Sequence, residues 1–159
     1  MTDESLRAST VIAAPAEAVF AVLADPARHA DVDGTGRVTG ALDTAPLTRP
    51  GQVFRMGMHH PDHPDGTYVT ANRVAVLDPP RAIAWQPGPD VGAAGVPHPG
   101  GWVWRYDLEP ANPSATTVTL TYDWSAVPAS VRAYLAFPPF PVSHLVESLG
   151  HLAELVTRR

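Results

Sequence analysis

The sequence predicts an α+β domain in which one strand and two short helices lead into a run of about six further strands and a long terminal helix. Three observations carry this. Apolar residues alternate with polar ones at period two in several runs between Gln52 and Trp124. Proline marks a helix start twice near the beginning, at Ala14-Pro15 and at Asp25-Pro26, where Asp25 is the cap. From Val142 to Val156 the apolar residues recur at helical spacing. With 159 residues and 45% hydrophobic content, the chain suits a single domain spanning 1–159.

Leu6 to Ala13 is rich in β-branched residues and reads as the first strand. Pro15 fits the first position of a helix, with Glu17 in its first turn and Val19, Val22 and Leu23 on one face. Asp25 then caps a second short helix expected to reach about Ala30. The segment from Asp33 to Gly51 is dominated by Gly, Thr and Pro, and a strand over Arg37 to Leu42 is the least marked of the set. In Gln52 to His59, Phe54, Met56 and Met58 alternate with Arg55, Gly57 and His59.

A hairpin turn at Asp65-Gly66 leads to strands over Tyr68 to Leu77 and Ala82 to Gln86. The parity of the longer one is open: Tyr68, Val74 and Val76, or Val69, Ala71 and Leu77, face inward, and a bulge reconciles the two. Pro87 to Gly101 is expected to be a loop, either a lid or an ordinary surface connection. Trp102, Trp104, Tyr106 and Leu108 then alternate with Val103, Arg105 and Asp107. Val118, Leu120, Tyr122 and Trp124 alternate with three threonines and Asp123, so one face of this hairpin is aromatic.

Pro128 opens a short helix expected to run to about Phe137, where Phe137-Pro138-Pro139-Phe140-Pro141 ends it. The terminal helix is expected to pack by Val142, Leu145, Val146, Leu149, Leu152, Ala153 and Val156. His144, Ser148 and His151 lie off that stripe and are expected in solvent.

Composition excludes several function classes. No cysteine is present, so disulfides, thiol nucleophiles and thiolate metal sites are ruled out. A formal charge of -5 with scattered basic residues argues against a nucleic-acid partner. All of those basic residues are Arg, which is expected of GC-rich bacterial coding. The polar, acidic opening resembles no signal peptide, and no apolar run approaches bilayer length, so a cytoplasmic protein without membrane insertion is expected.

Several segments resemble the START-like (helix-grip) superfamily, and its polyketide cyclase/dehydrase-related branch in particular. They are Val11 to Phe20 with Leu23-Ala24-Asp25-Pro26, Pro79 to Trp85, Trp104 to Pro110 and Thr117 to Ser125. The resemblance implies a curved seven-stranded antiparallel sheet wrapped around the terminal helix, with a ligand cavity between them. Members bind lipids, steroids, polyketides or aromatic metabolites, and some cyclise or dehydrate polyketide chains. The branch has no shared catalytic triad to carry over.

Phe54, Met56, Met58, Tyr68, Asn72, Trp85, Trp102, Trp104, Tyr106, Tyr122, Trp124, Phe140, Leu145 and Leu149 are the candidate ligand-binding residues. Aromatic rings offer stacking faces and methionine adapts to irregular shapes, although the same residues could simply fill a core. Asn72 and Tyr68, with Thr70 between them, would supply orienting polar groups if their face turns inward. His59, His60 and His63 form a weak metal pattern, because adjacent strand residues point to opposite sides and Pro61 and Pro64 stiffen the turn. A solvated hairpin tip is the expectation, with no metal and no cofactor. The Val91 to Pro99 loop and the Phe137 to Pro141 cluster could form a cavity mouth. The expected function is binding of a small hydrophobic or aromatic molecule. The alternative is a cyclase or dehydratase with a rim Tyr or His as acid or base.

Overall fold

The computed structural model describes residues 4–60, 66–89 and 99–157. Seven strands form one antiparallel sheet: β1 (Ser5–Ile12), β2 (Val38–Ala41), β3 (Val53–His59), β4 (Thr67–Asp78), β5 (Ala82–Pro89), β6 (Val103–Asn112) and β7 (Ala115–Asp123). Their order is β1-β7-β6-β5-β4-β3-β2, so β2 to β7 form a meander and the first strand returns beside the last. The helices are α1 (Ala16–Leu23), a 3-10 turn (Pro26–Arg28) continuing into α2 (His29–Val32), α3 (Ala129–Arg132) and α4 (Ser143–Thr157).

Local chemistry accounts for the boundaries. Pro15 is the residue before α1, in extended conformation, rather than its first helical residue. Asp25 caps the next turn as expected, its side chain accepting from the Ala27 N–H at 3.1 Å. Strand β5 runs through Pro89, so Pro87 to Pro89 are strand and not loop. The rest of the expected lid, apart from Pro99 to Gly101, lies outside the described residues, as does most of the expected Asp65-Gly66 hairpin turn. Helix α3 stops at Arg132, short of the expected Phe137; none of its residues is fully buried, and Val131 packs only in part against the core, so little burial favours extending it.

Strand β4 resolves its own parity. Pairing with β5 slips between Val74 and Val76, which places Thr70, Asn72 and Val74 on one face before the slip and Leu77 on the same face after it. The bulge brings Tyr68 and Val74 of one set and Leu77 of the other to the inner face, and leaves Val69, Ala71 and Val76 on the opposite one.

Helix α4 lies over β1 and β7 and against α1 and α2. Leu145, Leu149 and Leu152 are fully buried beside Ile12, Val19, Leu23, Val118 and Leu120. Each such side chain contributes roughly 1.5–3 kcal/mol by leaving water. The buried face of α4 is turned from the expected stripe. Val142 and Val146 are 43% and 58% exposed, whereas Ser148, expected in solvent, is 5% exposed. The cause is the chain at Gly34, which docks on the Ser148 side: the Gly34 N–H donates to Ser148 Oγ at 2.8 Å. A side chain at Gly34 would collide with the His144 carbonyl and the Ser148 amide, so only glycine allows the approach. His151 Nδ1, exposed as expected, lies 3.2 Å from the carbonyl oxygens of Val32 and Asp33 in the same segment.

Candidate functional site: an aromatic concave face

Residues paired directly across antiparallel strands point to the same side of the sheet. Val74, Trp85, Trp104, Tyr122 and Leu6 form one such row across β4, β5, β6, β7 and β1. Ile83, Tyr106, Leu120 and Ala8 form the next. Phe54 pairs with Asn72, Met56 with Thr70 and Met58 with Tyr68, so both sets share that face on β3 and β4. The concave side of the sheet is therefore lined by rings, with polar groups toward the β3 and β4 end.

These rings fall into two clusters. In the inner one, the His29 imidazole stacks on Trp85 at 4.8 Å between centroids and meets Phe54 edge-on at 5.4 Å. Trp85 in turn contacts Phe54 at 5.9 Å and Tyr106 at 6.0 Å. His29 Nε2 is 2.8 Å from the Leu23 carbonyl oxygen, which satisfies the buried ring. Burial is the main influence on this imidazole and lowers its pKa below the ordinary histidine value, against the raising effects of the Leu23 carbonyl and Asp25. Asn72 is also committed, its amide donating to the Phe54 carbonyl at 3.3 Å.

The outer cluster surrounds Phe140. Its ring stacks on Trp104 at 5.5 Å with an interplanar angle of 12°, and on His144 at 5.5 Å and 19°. Tyr122 packs against Phe140 at 4.9 Å, Trp104 at 4.6 Å and Trp124 at 5.9 Å. The Arg37 guanidinium lies 5.9 Å from the centre of the Phe140 ring. Trp102 sits just before β6, half-buried, with its indole against Gly100 and its ring 5.8 Å from Phe137.

Burial dominates the phenols. Tyr106 and Tyr122 have pKa values pushed far above the ordinary tyrosine range by desolvation, with Asp33 adding to the rise at Tyr106 and Arg37 opposing it at Tyr122. Tyr68 is raised more mildly by burial, again opposed by Arg37. Neither Tyr106 nor Tyr122 has a hydrogen-bond partner for its hydroxyl among the described residues. His144 Nδ1, by contrast, is itself buried without a partner.

Of the residues expected to bind ligand, Phe54, Met56, Tyr106, Tyr122, Trp124, Phe140, Leu145 and Leu149 are buried, and Met58, Tyr68, Trp85, Trp102 and Trp104 are partly accessible. Leu145 and Leu149 belong to the stripe by which α4 packs on the sheet. Two pockets formed by described residues lie away from the concave face. One, of about 370 Å³, is an open groove on the convex side among Arg105, Asp107, Thr117 and Thr119. The other sits at an edge among Pro15, Pro80 and Pro110.

Sequence reasoning missed His29 and Arg37 and placed His144 in solvent. His29 carries no periodic signal, since it follows a capped turn, and Arg37 sits in a Gly-rich stretch where a basic residue normally marks surface. Among the described residues no group of three or more His, Asp or Glu side chains could hold a metal, and His63 lies outside them. No helix among the described residues is long and apolar enough to cross a membrane.

Comparison with known proteins follows the same architecture. The crystal structure of protein CV1439 from Chromobacterium violaceum is similar with a TM-score of 0.69 and 23% identity, over 98% of this chain and 99% of that one. The aromatase/cyclase Zhui from Streptomyces sp. R1128 gives a TM-score of 0.66 at 19% identity, over 98% and 94%. Truncated norcoclaurine synthase from Thalictrum flavum gives 0.64 at 13% identity, over 100% and 98%. These likenesses establish a shared fold. In sequence, the chain is 34% identical over 121 residues to the uncharacterized protein Rv0088 of Mycobacterium tuberculosis, covering 76% of this chain and 48% of that protein. The chain thus spans about half the length of the curated relatives it matches. The family model described as Activator of Hsp90 ATPase homolog 1-like protein matches residues 13–135. A curled seven-stranded antiparallel sheet with a C-terminal helix, together with that match, places the chain in the Activator of Hsp90 ATPase homolog 1-like protein family of the START-like superfamily.

Proposed function

We propose that this chain binds a small, largely apolar aromatic molecule against the concave face, at the outer cluster. The observation that carries the reading is the stack of Trp104, Phe140 and His144, in which the middle ring comes from a non-helical, proline-flanked segment rather than from the sheet or α4. A planar ligand would take the place of Phe140 against Trp104 and Tyr122. The segment from Phe137 to Pro141 would then act as the mouth, with Trp102 and Tyr68 at its rim.

Burial speaks against Tyr106 or Tyr122 as a proton-accepting base. A phenol whose pKa is raised well above neutral holds its proton, so Tyr106 and Tyr122 are suited to donating a hydrogen bond to a ligand oxygen.

A thermal-shift and native mass spectrometry screen with planar aromatic polyketides, sterols and fatty acids tests the proposal. A ligand present at about 100 times its Kd stabilises the folded state by about 2.7 kcal/mol. We expect the planar aromatic compounds to raise the Tm, and Trp104→Ala to remove the shift. Stabilisation by none of the three classes overturns the reading.

A further inference from the structure

The outer cluster contains a cation that the apolar reading does not use. Arg37 is half-buried, yet its guanidinium forms no ion pair with any described residue. Among the described residues its side chain makes one hydrogen bond, a long one, from Nη2 to the Pro139 carbonyl at 3.4 Å. The nearby acid does not neutralise it by contact. Asp33 spends both carboxylate oxygens on its own loop, accepting from the Thr35, Arg37 and Val38 N–H groups and from the Thr35 hydroxyl. A half-buried guanidinium with donors that no described residue takes is well suited to receive an anion.

Two further polar groups at the same ring point to the same vacancy in the bonding. The Tyr122 hydroxyl has no hydrogen-bond partner among the described residues, and His144 Nδ1 is buried without one. Phe140 touches all three: Arg37 approaches its ring, Tyr122 packs against it and His144 stacks on it. An aromatic ring that replaced Phe140 would therefore lie beside a planar fork of N–H donors.

Resting on the reading proposed above, we infer that the ligand is an aromatic acid, whose ring stacks on Trp104 and whose carboxylate is held by Arg37, with Tyr122 as an added donor. Arginine suits this role because its guanidinium meets a carboxylate through two parallel hydrogen bonds. The apolar wall selects the ring, and Arg37 selects the charge.

The test compares 2-naphthoate with its uncharged methyl ester, by isothermal titration and tryptophan fluorescence, on the full chain, with Arg37→Gln and Arg37→Lys alongside. Charge-assisted hydrogen bonds of this kind are worth about tenfold or more in affinity. The acid is expected to bind at least about tenfold tighter than the ester, a preference that Arg37→Gln abolishes and Arg37→Lys partly keeps. Unchanged melting temperatures in both variants show that they fold. Equal affinity of acid and ester, or a preference untouched by Arg37→Gln, overturns the aromatic-acid assignment while leaving the apolar site standing. Binding of neither compound removes the site and this assignment with it.

Discussion

The two ring clusters on the concave face are built from the same residue types and differ in what covers them. Phe54, Trp85 and Tyr106 lie under α1 and α2, whose His29 packs against Phe54 and Trp85, and the imidazole is bonded to a backbone carbonyl. Trp104, Tyr122 and Phe140 are closed by a short stretch between α3 and α4 that has neither helix nor strand, and the polar groups around them are unspent. Covered and satisfied, an aromatic cluster is core. Covered by a ring from a non-helical segment and left with polar groups that no described residue satisfies, it is the cluster to which the proposed ligand is assigned.

The contrast is sharpest in stability. Phe54→Ala should cost about 4 kcal/mol, because a 1% exposed ring leaves a cavity that the surrounding sheet cannot close. Phe140→Ala should cost clearly less, since its segment can relax and water can reach Trp104. Urea unfolding of the two variants measures the difference, and equal losses would mean that the outer cluster is as much core as the inner one. Next in size, Gly34→Ala should cost about 2 kcal/mol, since the added methyl meets the α4 backbone.

A pH series reports on the inner cluster. The His29 pKa is lowered in the folded state, so the unfolded chain takes up a proton first as pH falls below about 6.5. The stability held by the neutral imidazole is whole above that pH and declines below it, by at most about 1.4 kcal/mol per pH unit. Denaturation curves at pH 8 and pH 5.5 should show the decline, and His29→Phe should flatten it. Smallest of all, Ser148→Ala should cost about 1 kcal/mol by leaving the Gly34 amide without its acceptor, read from the shift in urea midpoint.

Much of the fold was legible because β6 and β7 alternate without interruption: Trp104, Tyr106 and Leu108 against Arg105 and Asp107, and Val118, Leu120 and Tyr122 against threonines. Strand β4 was legible only as an ambiguity, since a bulge changes parity without changing composition. The site was less visible. A helical wheel gave Val146 and Ser148 opposite fates from the ones they have, because the face of α4 that is buried depends on a loop more than a hundred residues earlier in the chain. His29 and Arg37 could not be picked out at all. Their roles come from what stands opposite them in space, and neither the turn after Asp25 nor the glycines around Arg37 encode that.

The docking of Gly34 on α4 has a further consequence. Arg37 stands three residues beyond an amide whose proton is held by Ser148, and His151 approaches the carbonyls just before it. Arg37 and those bonds belong to one short loop, and the bonds join that loop to the terminal helix. The exchange rate of the Gly34 amide hydrogen with solvent deuterium is thus a local gauge, set inside the protein, of how firmly that loop is seated when the concave face is empty and when it is filled.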